Sequence, residues 1–153
     1  MLLWRLSGTQ YADVFDGGYG LLFNGRWNSV GHPVTYCSTS PSLCVLEKLV
    51  HVEDPTLLPE LIMVTYEVSD TLGVETVALA DLPANWRRLE AMTQELGDAW
   101  HGNGRTPLLR VPSAIVPLPD SPDLNFLINH TQAASAAIKI IRKEQFTFDP
   151  RLL

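Results

Sequence analysis

Cysteine is scarce in this chain. Its 153 residues include only Cys37 and Cys44, and their spacing is not the C-x-x-C of a redox or metal motif. A disulfide framework is therefore not expected, and both read as buried core thiols. The four histidines, His32, His51, His101 and His130, show no H-E-x-x-H or comparable metal spacing. The phosphate-binding patterns G-x-x-x-x-G-K-[ST] and G-x-G-x-x-G are missing, and Gly17-Gly18-Tyr19-Gly20 is too weak to replace them. There is no G-x-S-x-G elbow, which argues against a serine nucleophile. No stretch approaches the roughly 18 to 20 apolar residues of a membrane helix. Met1-Leu2-Leu3-Trp4-Arg5 lacks the basic start and long apolar run of a signal peptide, so the cytoplasm is the expected compartment. Positive charge is in deficit: the formal net charge is -6. That argues against general nucleic-acid binding but leaves room for a small anionic ligand held by one or two arginines. Internal repeats and low-complexity segments are also lacking.

What remains is a globular composition, 46% hydrophobic and 18% charged, long enough for one domain over residues 1–153 with a sizeable core. Leu2 to Ser7 alternates and reads as a first strand, with Arg5 among apolar neighbours. Asp16 to Gly20 reads as a mobile loop. Pro33 to Ser38 is a second strand. Ser40 then Pro41 is a cap residue followed by proline at the first helical position, opening a helix to about Val52. Leu61 to Val68 reads as a central strand, apolar on both faces, and Val74 to Leu79 as another. Asn85 to Leu96 has helical spacing, with Gly97 as its stop, and His101 to Pro107 reads as a loop. Leu108 to Val116 is a strand disturbed at Pro112 and Ser113. Phe126 to Asn129 and Ile138 to Phe148 add further strands, the last long enough to bend or split. Many short strands with two helices between them give an α+β domain.

Chemistry concentrates around Gly25-Arg26-Trp27-Asn28-Ser29-Val30-Gly31 and the strand and helix that follow. Gly25 and Gly31 bracket the segment and let backbone approach a ligand closely. In the helix, Leu43, Leu46, Glu47 and Val50 share one face by their i, i+3, i+4, i+7 spacing. Three of them read as core and one is a carboxylate, which is costly there unless it is paired or borders a cavity. Arg26 is the nearest partner in sequence, and its guanidinium suits phosphate or carboxylate. The pair reads equally well as a structural ion pair or as a binding site. Tyr36 lies on the strand between them; a strand tyrosine is more often core or interface. Ser113, after Pro112, is normally a bulge residue, although its hydroxyl suits a phosphate or ribose contact.

Gly25-Arg26-Trp27-Asn28, the Tyr36 strand and Leu46-Glu47 in a helix together resemble the RES domain, a family named for an Arg, a Glu and a Ser. The resemblance continues in order through Leu82-Pro83, Trp86-Arg87, Leu96-Gly97-Asp98, Val111-Pro112-Ser113, the asparagine-bearing strand Asn125 to Asn129 and the ending Phe148-Asp149-Pro150-Arg151-Leu152. One departure is Asn129-His130, where the family often has Asn-Pro. The resemblance implies a single compact domain with an ADP-ribosyltransferase-like fold of short, mostly antiparallel strands and a few helices. It implies a toxin of a toxin–antitoxin pair that degrades NAD by cleaving the nicotinamide–ribose bond, with phosphate (an NAD phosphorylase) or water as acceptor. NAD is then substrate rather than cofactor, inorganic phosphate is a co-substrate of some members, and no metal is required. By position the family's catalytic residues are Arg26, Tyr36, Glu47 and Ser113, with Trp27, Asn28 and Asn129 expected to bind substrate. Glu47 would stabilise an oxocarbenium-like state, Arg26 and Ser113 would hold phosphate, and Tyr36 would stack on a ring or orient the ribose. The expected partner is an Xre-family DNA-binding antitoxin in a hetero-oligomer. The alternatives are a protein mono-ADP-ribosyltransferase and a non-catalytic nucleotide-binding module.

Overall fold

Alternation in the strand segments builds a seven-stranded sheet, which the computed structural model describes together with all other residues of 1–153. The strands are β1 (Leu2–Gly8), β2 (Val34–Ser38), β3 (Leu61–Glu67), β4 (Val74–Thr76), β5 (Leu108–Pro112), β6 (Leu124–Asn129) and β7 (Lys139–Phe146). Their order across the sheet is β4-β5-β6-β2-β1-β3-β7. Every neighbouring pair is antiparallel except β4 with β5, which run parallel. Three helices complete the domain: α1 (Gly18–Leu22), α2 (Pro41–Leu49) and α3 (Glu90–Asn103). The expected α+β architecture of mostly antiparallel strands is what is found.

Side chains alternate across each strand, so the sheet buries two separate clusters. Leu3, Cys37, Val64, Tyr66, Leu108, Phe126 and Ile128 pack on one side, under Ala12 and Ile138. Val34, Leu109, Val111 and Leu127 pack on the other with Trp27, Trp86 and Trp100. Both cysteines are buried and free, as expected. Burial pushes the Cys44 thiol up to about 11, which keeps it protonated, and it donates to the Trp4 carbonyl at 3.0 Å.

Several local expectations are corrected. The Asp16 to Gly20 loop contains the start of α1, because the Asp16 Oδ1 accepts from the Gly18 amide at 2.9 Å. Helix α2 starts where expected, with the Ser40 Oγ accepting from the Leu43 amide at 3.2 Å, but ends at Leu49. Its buried residues are Leu43 and Cys44, whereas Leu46 and Val50 are exposed. The helix is thus rolled so that positions 43, 44 and 47 face inward, which keeps Glu47 on the sheet side. β3 is buried on both faces but lies next to the edge strand β7, not at the centre. Its register with β7 slips between Thr65 and Tyr66.

The second predicted helix is shifted. Trp86–Arg88 forms a single 3-10 turn, α3 begins at Glu90, and the helix runs through Gly97 and His101 to Asn103. Gly104, with φ of 62°, supplies the left-handed stop. Gly97 has a different duty: a Cβ there would lie 1.7 Å from the Trp27 carbonyl oxygen. β4 ends at Thr76, and β5 ends at Pro112, leaving Ser113 in the turn that follows. β6 extends the predicted strand back to Leu124.

Candidate active site

Arg26 is presented by a turn whose backbone is tied down from three directions. The Gly25 amide donates to the Asn28 carbonyl at 2.9 Å. From β2 the Tyr36 hydroxyl accepts from the Trp27 amide (3.0 Å) and donates to the Asn28 Oδ1 (2.7 Å). From α3 the Thr93 Oγ1 donates to the Arg26 carbonyl (2.6 Å) and the Gln94 Nε2 to the Gly25 carbonyl (2.9 Å). A Cβ on Gly25 would sit 2.5 Å from the Tyr36 hydroxyl oxygen, so the glycine admits this phenol. Burial raises the Tyr36 hydroxyl well above its ordinary value, and it remains a proton donor. Downstream, Asp98 on α3 receives the Ser29 amide at 2.9 Å and the Ser29 Oγ at 2.5 Å.

With the turn fixed, the half-buried Arg26 side chain meets only neutral groups. Its Nη1 donates to the Arg87 carbonyl at 3.2 Å, and its guanidinium lies 5.8 Å from the centre of the Trp86 ring. The Arg26–Glu47 ion pair that sequence proximity offers does not form; the five ion pairs of the chain involve other residues.

Glu47 is instead held by uncharged donors. The Ser113 Oγ donates to its Oε1 at 3.0 Å and the Asn125 Nδ2 donates to the same oxygen at 2.6 Å. Ser113 is fully buried, and its hydroxyl oxygen also accepts from the amides of Ile115 (3.0 Å) and Val116 (3.3 Å). That serine has its one proton and both lone pairs engaged. This geometry makes it a support for the carboxylate and leaves it nothing to offer a phosphate. Asn125 is in turn fixed by the Ser38 Oγ, which donates to its Oδ1 at 2.7 Å.

The sheet brings the two ends together. Ser38 pairs with Asn125 across β2 and β6, and Tyr36 pairs with Leu127. Tyr36 and Ser38 thus point to the same face, about 7 Å apart along the strand. One organises the Arg26 turn and the other backs the Glu47 carboxylate. Beside Ser113 a hollow of about 380 Å³ opens along Val77, Leu79, Val111 and Val116. A hollow of about 430 Å³ at Met1, Glu67 and Lys139 shares no residue with this constellation.

Three expected substrate contacts are placed differently. Trp27 and Asn28 are 2% and 1% exposed, one in the core and the other bonded to Tyr36, so both shape the turn. Asn129 is fully buried. Its Nδ2 donates to the His101 carbonyl (3.1 Å) and its Oδ1 accepts from the Thr131 amide (2.9 Å) and hydroxyl (2.7 Å). It lies four residues, about 13 Å, along β6 from Asn125, with both ends of its amide engaged by these neighbours. Asn125, whose Nδ2 meets Glu47, is the residue of this constellation that single-position reasoning passed over. The signal for it was two asparagines on one face of a buried strand.

A family model described as RES domain matches residues 2–149. The chain is 41% identical over 159 residues to a protein of Pseudomonas putida named "Toxin Res", covering 99% of each chain. It is 32% identical over 157 residues to a Sphingobium protein named "Prs ADP-ribosylating toxin", covering 98% of this chain and 95% of that one. Among solved structures, the crystal structure of the M. tuberculosis MbcT–MbcA toxin–antitoxin complex contains a similar fold, with a TM-score of 0.70 at 16% identity over 95% of this chain and 84% of that one.

Proposed function

Because this chain belongs to the RES domain family, we propose that it is the toxin of a toxin–antitoxin pair and that it consumes NAD by cleaving the nicotinamide–ribose bond. The observation that carries this reading is the pair of unneutralised charges on one face of the sheet: a guanidinium with no carboxylate partner and a carboxylate with no cation. Opposite charges left apart in this way suit a substrate that is itself split in charge, with an anionic pyrophosphate and a cationic nicotinamide ring.

In this reading Arg26 grips a phosphate of the dinucleotide in its planar fork. Glu47 accepts from a ribose hydroxyl and stabilises the positive charge that develops at the anomeric carbon. The carbon–nitrogen bond breaks with its electron pair leaving on the pyridine nitrogen. Nicotinamide departs neutral, so no general acid is needed. An oxygen of inorganic phosphate then bonds to the anomeric carbon and gives ADP-ribose phosphate; if water attacks, ADP-ribose forms and a proton is released. Tyr36 and Ser113 act by holding Arg26 and Glu47 in place. NAD is the substrate, and the reaction takes place in the cytoplasm.

The partner in this reading is an Xre-like DNA-binding antitoxin that covers the site. Tyr19, Leu22, Phe23 and Val30, which flank the Arg26 turn in sequence, are 60%, 70%, 54% and 53% exposed, with the Tyr19 and Phe23 rings tilted against each other at 5.1 Å. An apolar rim of this kind beside a charged site favours a protein cover. Expression without antitoxin should arrest growth and lower cellular NAD, and the Arg26 and Glu47 variants should not; equal tolerance of all three would defeat the toxin reading.

A second reading, transfer of ADP-ribose to a protein, is favoured by the name of the Sphingobium relative. Purified chain incubated with NAD, with and without phosphate, separates them by product mass. Free ADP-ribose or its phosphate supports NAD degradation; ADP-ribose found only on added protein supports transfer. Intact NAD under every condition rejects both.

A further inference from the structure

The Glu47 carboxylate accepts both of its hydrogen bonds on one oxygen. Ser113 and Asn125 converge on Oε1, and Oε2 has no protein donor. A side-chain carboxylate with no donor against it swings freely about its last torsion. Here that swing is resisted from β6, where the Asn125 amide is anchored by the Ser38 hydroxyl on β2. Ser38 is 4% exposed and belongs to the sheet, so the far end of this relay is rigid. The amide orientation follows from the carboxylate, which only accepts: Nδ2 must face Glu47, and Oδ1 therefore faces the Ser38 hydroxyl, which donates to it.

We infer that Asn125, anchored by Ser38, is a positioning residue that fixes the orientation of the Glu47 carboxylate, holding one oxygen against the sheet and turning the other toward the ribose. The inference rests on the NAD-consuming reading given above and adds to it a residue and a direction. The work of Asn125 is donation: its Nδ2 supplies a proton that no carboxylate at position 125 supplies. An Asn125→Asp substitution keeps size and shape but puts a second acceptor against Oε1, and the two carboxylates repel. Asn125→Ala leaves a gap but no repulsion. If Asn125 merely fills space, the alanine variant is the more damaged of the two; if it aims Glu47, the aspartate variant is.

The test is steady-state NAD consumption by the purified full chain and its N125D, N125A and S38A variants, with thermal melting to confirm folding. The expected result is a kcat about 100-fold lower for N125D, about tenfold lower for N125A and severalfold lower for S38A, with KM for NAD within about threefold throughout, since misplacement of a reacting group by about 1 Å has effects of this order. A kcat for N125D equal to or above that of N125A, or losses confined to KM, would overturn the inference while leaving NAD consumption intact. If N125D does not fold, N125A and S38A decide, and wild-type kcat in both overturns it. Absence of NAD consumption by the wild-type chain rejects the underlying reading, and with it this inference.

Discussion

The turn that carries Arg26 is held through its backbone, whereas Glu47 is held at the atoms of its own carboxylate. Tyr36, Thr93 and Gln94 all bond to main-chain groups or to Asn28 and leave the guanidinium with a single bond of its own, to the Arg87 carbonyl, beside Trp86. Ser113 and Asn125 bond directly to Oε1. The difference matches two tasks. A group that grips a charged phosphate tolerates some freedom in a long side chain, because charge attraction falls off slowly with distance. A group that must stabilise charge at one atom requires fixed orientation.

Glu47→Gln attacks the tightly held end and should have the largest effect. The amide nearly preserves size but removes the charge, so NAD consumption should fall about 100-fold or more while the melting temperature stays within a few degrees. Activity within about threefold of wild type would remove Glu47 from the chemistry. Ser113→Ala comes next. It should lower kcat about tenfold and, by leaving the Ile115 and Val116 amides without their acceptor, reduce stability by about 1–3 kcal/mol. Its KM for phosphate should not change; a rise there would show that the serine touches phosphate after all.

At the looser end, Arg26→Lys keeps the charge but loses the fork. We expect about a tenfold rise in the KM for NAD or phosphate with a smaller change in kcat, read from full saturation curves. Tyr36→Phe leaves the Trp27 amide and the Asn28 Oδ1 without their partner. It should reduce stability by about 1–2 kcal/mol and raise KM a few-fold by loosening the turn; denaturant unfolding and kinetics on the same sample check both. The smallest effect on NAD consumption is expected away from the site, where the readout is stability alone. Burial holds the His130 imidazole down to about 4, where the unfolded chain binds its proton near 6.5. The folded protein therefore loses stability as pH falls from about 6.5 toward 4, because only the unfolded state gains the proton. His130→Gln should flatten that part of the stability–pH curve, and an unchanged slope would show that other groups control it.

How much of this was readable in advance depends on the distance of each cause. The start of α2 was legible at Ser40-Pro41 because cap and proline act within one turn of chain. Glu47 stood out as a carboxylate among helix residues expected to be core, even though the stripe itself was misassigned at Leu46 and Val50, which tertiary packing leaves in solvent. Gly97 was read as a stop because glycine often is one; its actual constraint is the carbonyl of Trp27, brought in by the fold. Asn125 could not be assigned because its partner lies 78 positions away. Asn129 was over-read: an asparagine near a motif looks functional until its hydrogen bonds are counted. Ser113 was recognisable by family position, but only the turn after β5 shows that its hydroxyl is fully engaged.

The sheet ends on β7, and that strand is exposed along nearly all its length. Lys139, Arg142, Lys143 and Glu144 stand on it, four charges within six residues at the one long open margin of the sheet. The opposite margin is β4, with only three residues. A second copy adding its own strand to β7 would strip water from these charges, which discourages ribbon-like growth. The sheet thus presents an apolar rim at α1 but, at its long margin, a strand whose charges work against growth from copy to copy.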